Sequence, residues 1–279
     1  MLKKASGVLA MVIAMSASGF AAAADKVTYQ LDWLPGGDKA PVYAGIQQGF
    51  FADEGLEVTV ASGRGSTDAI TKIATGQADI GSADIGALMA ARAQDTVPVS
   101  AVYMIFNQGP HAFFALSDSG INSFADIAGK KVATSPFTSS NAFLPLVLEA
   151  NNMPTDSVSL TKSDPGALGP MLVTGNTEAI IAWVTNIALF KQQAAAAGKD
   201  INVIRWSDAG LSLYSSAIVA SDKFLAERPD VAKRFMKAYA KSLEFTMNDP
   251  EAAAQDLHTM VPEVDPAVAV GQINDTKVL

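Results

Sequence analysis

Leu56-Glu57-Val58-Thr59-Val60 runs into Ser62-Gly63-Arg64-Gly65-Ser66, then Thr67 to Thr75, Gly76, and Ile80 to Ala83. The first segment is a short apolar run and predicts a strand. The glycine-rich loop carries the chain into a helix over 67–75. Gly76 supplies the positive φ that ends it. Ile80 to Ala83 predicts the next strand. Strand, loop, helix and strand in this order is the repeating unit of an α/β fold.

Working outward, the same unit recurs. Lys131 to Thr134 predicts a strand, followed by the hydroxyl-rich loop Ser135-Pro136-Phe137-Thr138-Ser139-Ser140 and a helix over 141–150. Gly169 to Thr174 predicts a helix that stops at Gly175, and Ile180 to Trp183 a strand. Thr75-Gly76-Gln77-Ala78-Asp79 thus answers Thr174-Gly175-Asn176-Thr177-Glu178. Eight residues past each glycine stand Asp84 and Trp183, both at the carboxyl end of a strand. Ligands of open α/β sheets bind outside those ends. Two similar lobes sharing a cleft are therefore expected.

The first lobe also takes in a strand over 27–31 and a helix over 41–51, closed by Asp53-Glu54-Gly55. The runs 99–106 and 112–116 carry the chain to the second lobe, and 213–220 carries it back. Pro229-Asp230 then opens a helix with Val231, Phe235, Tyr239 and Leu243 on one face. The expected division is 25–113 with 215–279 for the first lobe and 114–214 for the second, with a hinge at the two crossings. The chain stops at Lys277-Val278-Leu279, in what reads as a helical segment, so a further C-terminal piece is expected.

Composition narrows the function. Of 279 residues 49% are hydrophobic and 17% charged, which is globular rather than disordered. Twenty-eight acidic against 20 basic residues, with no basic run, argue against nucleic acid. The absence of cysteine removes disulfides, thiolate metal sites, thiol nucleophiles and a cysteine-linked lipid. Lys3 and Lys4, the apolar stretch from Val8 to Ala17 and Ala22-Ala23-Ala24 predict a cleaved secretory signal over 1–24. A periplasmic protein with no lipid anchor is the expectation. His111 and His258 have no partner at metal-ligand spacing, and no hydrolase, metalloprotease or phosphate-loop motif is present. No catalytic residue and no metal ligand is expected.

Several residues suit a small-molecule cleft. Trp33, at a strand-to-loop switch, can stack a planar ligand or pack in the core. Asp32 can accept from a ligand N–H or cap a turn. Ser66 and Ser139 precede predicted helices, where a plain N-cap and a seat for an anion or carbonyl oxygen use the same geometry. Asp84 and Trp183 are matched by their strand-end placement. The full set of candidate ligand contacts is Asp32, Trp33, Lys39, Tyr43, Gly65, Ser66, Asp84, Asn107, Ser135, Thr138, Ser139, Ser140, Trp183, Asn186 and Tyr214.

Several motifs together resemble the SsuA/THI5-like family. They are Leu31-Asp32-Trp33-Leu34-Pro35, Ala40-Pro41-Val42-Tyr43-Ala44, Gln48-Gly49-Phe50-Phe51, Glu54-Gly55-Leu56, Gly76-Gln77-Ala78-Asp79-Ile80-Gly81 and Asp126-Ile127-Ala128-Gly129-Lys130-Lys131-Val132. The resemblance runs through 26–250. It implies a type II periplasmic binding protein of an ABC importer, each lobe a mixed sheet flanked by helices. It also implies a permease and an ATPase as partners, no cofactor, no chemistry and a monomer. The L-D-W-x-P opening resembles binders of thiamine-related pyrimidines and places Asp32 and Trp33 in the cleft. Lys39 stands where those members usually have histidine. Gly63-x-Gly65-Ser66-Thr67 and Ser135-Pro136 resemble the riboflavin and hydantoin-like branch. A sulfonate, taurine or nitrate binder is the alternative within the fold. A third, the eukaryotic thiamine pyrimidine synthase, holds pyridoxal phosphate on a lysine beside a histidine and has a cysteine-rich iron motif. Aligned on Asp79-Ile80-Gly81, that lysine falls at Ala83 and the histidine at Ala87, and the cysteines have no counterpart.

Overall fold

The computed structural model describes residues 23–279. The expected signal segment, 1–24, lies outside the described residues except for Ala23 and Ala24. In chain order, β1 (Asp25–Gln30) leads to α1 (Ala40–Gln47), which takes Pro41 in its first turn, where the missing N–H costs nothing. The single helix expected over 41–51 is two. Gly49 adopts φ 76°, outside the helical region, and α2 (Phe50–Asp53) starts afresh behind it. Then come β2 (Leu56–Ala61), α3 (Ser66–Ala74), β3 (Ile80–Asp84), α4 (Ile85–Gln94), β4 (Val99–Met104) and β5 (His111–Leu116). The middle of the chain forms β6 (Lys131–Thr134), α5 (Ser140–Ala150), β7 (Ser159–Lys162), α6 (Leu168–Val173), β8 (Ala179–Trp183), α7 (Ile187–Ala196) and β9 (Ile201–Arg205). The last part is β10 (Ser216–Ser221), α8 (Asp222–Glu227), α9 (Pro229–Asn248), α10 (Pro250–Met260) and α11 (Pro266–Thr276).

The strands form two five-stranded mixed sheets, ordered β2-β1-β3-β10-β4 and β7-β6-β8-β5-β9. In each, the first three strands are parallel and the last two pair antiparallel. The two sheets are therefore one plan used twice. The repeat seen in the sequence is repeated atom by atom. Gly76 and Gly175 both take φ 75°. Each ends its helix with the same double closure: Gly76 N–H donates to Ile73 O and Gln77 N–H to Lys72 O, as Gly175 donates to Leu172 O and Asn176 to Met171 O. The acids that follow do the same work. Asp79 Oδ2 accepts from Thr28 N–H at 2.9 Å, and Glu178 Oε2 from Lys131 N–H at 2.9 Å.

Helices cover both faces of each sheet, which is why β3 and β8 are buried at every residue. On the first sheet, α1, α9 and α10 cover one face through Tyr29, Phe51, Phe235 and Tyr239, while α3 and α4 cover the other through Ile70, Ile73 and Leu88. Stacked rings pin α9 down, with Tyr29 and Phe235 centroids 5.7 Å apart and Phe51 and Phe235 5.0 Å apart. On the second sheet, α5 packs over Phe113, Ile181 and Trp206, and α6 with α7 over Phe114, Ile180 and Phe190.

The chain leaves the first sheet after β4, returns to it at β10, and so crosses between sheets at 105–110 and 206–215. A third link comes from α11, which packs on both α10 and α7. Behind it Leu279 is buried with the core of the second sheet, and its carbonyl accepts from Asn107 N–H at 2.6 Å. The expected helix through 277–279 ends at Thr276.

Candidate functional site

Loops that follow the carboxyl ends of β1, β2, β6 and β8 converge on one pocket. The first sheet contributes Asp32, Trp33 and Asp38 after β1, and Gly65 and Ser66 after β2. The second contributes Thr138 after β6, then Ala182, Trp183, Thr185 and Asn186 from the end of β8 and the turn beyond it. This is the switch-point location that an open α/β sheet offers a ligand, here with two sheets facing it.

A buried charge cluster lies at the floor. Lys39 Nζ is 2.6 Å from Asp32 Oδ1 and 3.1 Å from Asp38 Oδ2, all three side chains being 5% exposed or less. Asp32 is held further by Ser82, whose hydroxyl donates to Oδ1 at 2.9 Å and accepts from the Asp32 N–H at 3.2 Å. Thr185, from the other half, donates to Asp38 Oδ2 at 3.3 Å. Burial alone would strip Lys39 of its proton, but the carboxylates of Asp32 and Asp38 outweigh it and hold the amine charged, well above its ordinary range. Burial, opposed by Lys39 and assisted by Asp32, pushes the Asp38 carboxyl up. Lys39 Nζ also lies 5.3 Å from the centre of the Trp183 ring, which fixes that indole across the cleft.

Main-chain contacts bring the two halves together at the rim. Gly65, at φ 154°, presents its Cα face to the Phe137 carbonyl, which a Cβ would strike. The Phe137 carbonyl accepts from Thr67 N–H at 3.1 Å and Thr67 Oγ1 at 2.8 Å, and Ser135 Oγ donates to Arg64 O at 2.7 Å. The Arg64 guanidinium lies 4.5 Å from the Phe137 ring centre.

Of the residues expected to touch a ligand, Asp32, Trp33, Gly65, Ser66, Thr138, Trp183 and Asn186 line this pocket, and Lys39 lies directly beneath it. Ser135 sits at the rim, its hydroxyl used on Arg64. Ser139 is buried with its hydroxyl unpartnered, and Ser140 is buried against His111. Tyr43 of α1 is packed in the core, Asn107 is exposed on the crossing segment, and Tyr214 is 60% exposed elsewhere. Asp84 and Trp183 occupy equivalent strand ends but part company there. Trp183 faces the pocket, whereas Asp84 caps α4, accepting from Gly86 N–H at 2.8 Å and Ala87 N–H at 3.3 Å. Its other oxygen accepts from Ser215 Oγ at 2.6 Å and lies 3.5 Å from His111 Nε2. Burial pushes this carboxyl up, but His111, Ser215 and the helix N–H groups together hold it below the ordinary range. His111 Nδ1 is 2.9 Å from Ser140 Oγ. Ser140, His111 and Asp84 have the residue types of a hydrolytic triad, yet none is more than 1% exposed. The trio is a buried strut between the halves with no approach for a substrate.

Three lining residues escaped the sequence: Asp38, Ala182 and Thr185. Asp38 follows Gly36-Gly37, where an acid reads as an ordinary turn residue. Thr185 stands two residues past Trp183, and only that proximity could have marked it.

The family model described as "NMT1/THI5 like" matches residues 37–253. The chain belongs to this family. The formylaminopyrimidine-binding protein of Halalkalibacterium halodurans is 26% identical over 247 residues, covering 87% of this chain and 73% of that protein. The 4-amino-5-hydroxymethyl-2-methylpyrimidine phosphate synthase of Aspergillus parasiticus is 24% identical over 258 residues, covering 85% and 71%. Among solved structures, the alkanesulfonate-binding protein SsuA of Xanthomonas axonopodis superposes with a TM-score of 0.72 at 15% identity, covering 91% of this chain and 84% of that one. The fold is thus that of the type II periplasmic binding proteins. Ala83 and Ala87, which the synthase resemblance sets against its lysine and histidine, are packed in the core with Ile70, Ile73 and Leu88. The amine nearest the pocket, Lys39, is tied up as an ammonium between two carboxylates.

Proposed function

We propose that this chain is the solute-binding component of an ABC-type importer, capturing a small, polar, heteroaromatic molecule between its two lobes. The observation that carries the reading is the pocket itself, with one tryptophan from each half, hydroxyls at its wall and a buried charge cluster at its floor. On this reading 25–113 with 215–279 makes one lobe and 114–214 the other, and the crossings at 105–110 and 206–215 flex between an open and a closed form. The guest touches both lobes only when they meet, so it shifts the population toward the closed form. A membrane permease and its ATPase then receive the guest from a monomeric protein in the periplasm.

A thiamine-precursor pyrimidine is the favoured guest. The indoles of Trp33 and Trp183, one from each half, suit a flat ring held between them. On this reading no bond is made or broken, and Lys39, held as an ammonium, has no lone pair to attack a carbonyl. The test is thermal shift followed by calorimetry against formylaminopyrimidine, riboflavin, taurine, ethanesulfonate and nitrate. The pyrimidine is expected to raise the melting temperature; a saturating ligand at a hundred times Kd adds about 2.7 kcal/mol. A panel with no stabilising member defeats the reading. So does a pyridoxal phosphate absorbance band that is lost in Lys39→Ala, which would make the chain an enzyme.

A further inference from the structure

The charge of the guest is addressed by the pocket floor. We propose that Asp38 is a specificity-determining residue, selecting a guest that brings a positively charged nitrogen and rejecting one that offers only an anion. The inference rests on the ligand-binding reading above and deepens it.

The first argument is a charge count. Asp32 and Asp38 line the pocket, Lys39 lies beneath, and no other lining residue is charged. One ammonium cannot neutralise two carboxylates, so the floor carries a net negative charge. The second argument apportions it. Lys39 sits closer to Asp32, at 2.6 Å, than to Asp38, at 3.1 Å, and Asp32 has Ser82 besides. Asp38 spends Oδ2 on Lys39 and Thr185, while its Oδ1 has no hydrogen-bond partner among the described residues. Asp38 lines the pocket and its Oδ1 is not sealed within the protein, so a guest N–H⁺ can reach that oxygen and make a charge-assisted hydrogen bond with it. The indoles of Trp33 and Trp183 add faces that attract a flat cation.

An opposing term is the start of α3 at Ser66, which favours an anion. A helix start carries only about half an elementary charge, and that is partly screened by solvent, against the full charge of a carboxylate. It serves instead as a seat for a ring nitrogen or carbonyl oxygen of the same guest. Ser66 Oγ accepts from Asp84 N–H at 3.0 Å, which leaves its own proton to donate.

A matched pair of probes isolates the charge: one aminopyrimidine carrying an aminomethyl group, and the same ring carrying a carboxylate at that carbon. Calorimetry at neutral pH and low salt is expected to find the ammonium form about tenfold or more tighter. In Asp38→Asn the ratio is expected to collapse toward one, and in Asp38→Glu the order is expected to persist, with circular dichroism checking that each variant is folded. A ratio near one in the natural protein overturns the proposal whether or not Asp38→Asn folds. So does a ratio that Asp38→Asn leaves unchanged. Formylaminopyrimidine binding without an advantage for the ammonium probe sinks this inference alone. Failure of all three pyrimidines to bind sinks the ligand reading with it.

Discussion

Lys39 sits between two carboxylates withdrawn from water, and all three depend on one another. Lys39→Met keeps the volume but leaves Asp32 and Asp38 facing each other with no counter-ion. The expected loss at neutral pH is about 3–5 kcal/mol, read by urea denaturation. Its pH dependence has a definite sign. Asp38 binds its proton more tightly folded than unfolded, because burial and the charge of Asp32 raise it. Such a group contributes stability below its unfolded pKa and loses it as pH rises through the folded one. The deficit of Lys39→Met is therefore expected to shrink as the pH is lowered into the mildly acid range. On the ligand side, Trp33→Ala is expected to weaken guest binding by ~1–3 kcal/mol with the fold intact; unchanged affinity in calorimetry would count against a stacked ring. Trp33 was legible as a candidate because a large aromatic follows directly on a strand. Asp38 was not, since an acid after two glycines looks like any turn.

At the scale of elements, the two helix-ending glycines were the most legible feature. Gly76 and Gly175 both hold φ 75° with open space where a side chain would go. Gly175→Ala is thus expected to cost only the left-handed backbone term, about 1–2 kcal/mol, in a thermal melt. A larger loss would mean that the turn is also packed. The strands over 56–61 and 131–134 could be read because a short apolar run between turn residues is a local signal. The helix α4 could not. Its Ile85-Gly86-Ala87-Leu88-Met89-Ala90 run has weak apolar periodicity, and its start is set by Asp84 reaching its N–H groups once β3 is in place. The apolar pattern runs through α1 and α2 as one, because a left-handed glycine changes the chain's direction without changing that pattern.

For the whole molecule, the decisive contacts are those that span the two sheets. Gly65 against Phe137 is the tightest. Gly65→Ala is expected to leave each lobe folded but hold the halves apart. Guest affinity should fall about tenfold or more, and the radius of gyration by X-ray scattering should stay at its unliganded value when guest is added. Contraction as in the natural protein would refute this. The strut of Asp84, His111 and Ser140 also crosses between halves. Asp84→Ala removes a helix cap and a buried partner at once, an expected loss of about 3 kcal/mol. Because the folded Asp84 carboxyl is held below its unfolded value, its contribution is present above the unfolded pKa and lost as pH falls through the folded one. The variant and the natural protein should therefore converge in stability in strong acid.

The alternation of strands and helices, the doubled plan and the strand-end placement of Asp84 and Trp183 were all contained in the order of residues. Each rests on neighbours within a dozen positions, and such local preferences survive without knowledge of the rest of the chain. Which polar side chains share a pocket was decided only when two sheets closed on each other. Asp84 and Trp183 are equivalent by position, yet a cap and a histidine from the other half draw one inward while the other is left facing the cleft. Partners such as Asp38 and Thr185 stand 147 residues apart, and nothing short of the tertiary structure brings them within hydrogen-bond reach.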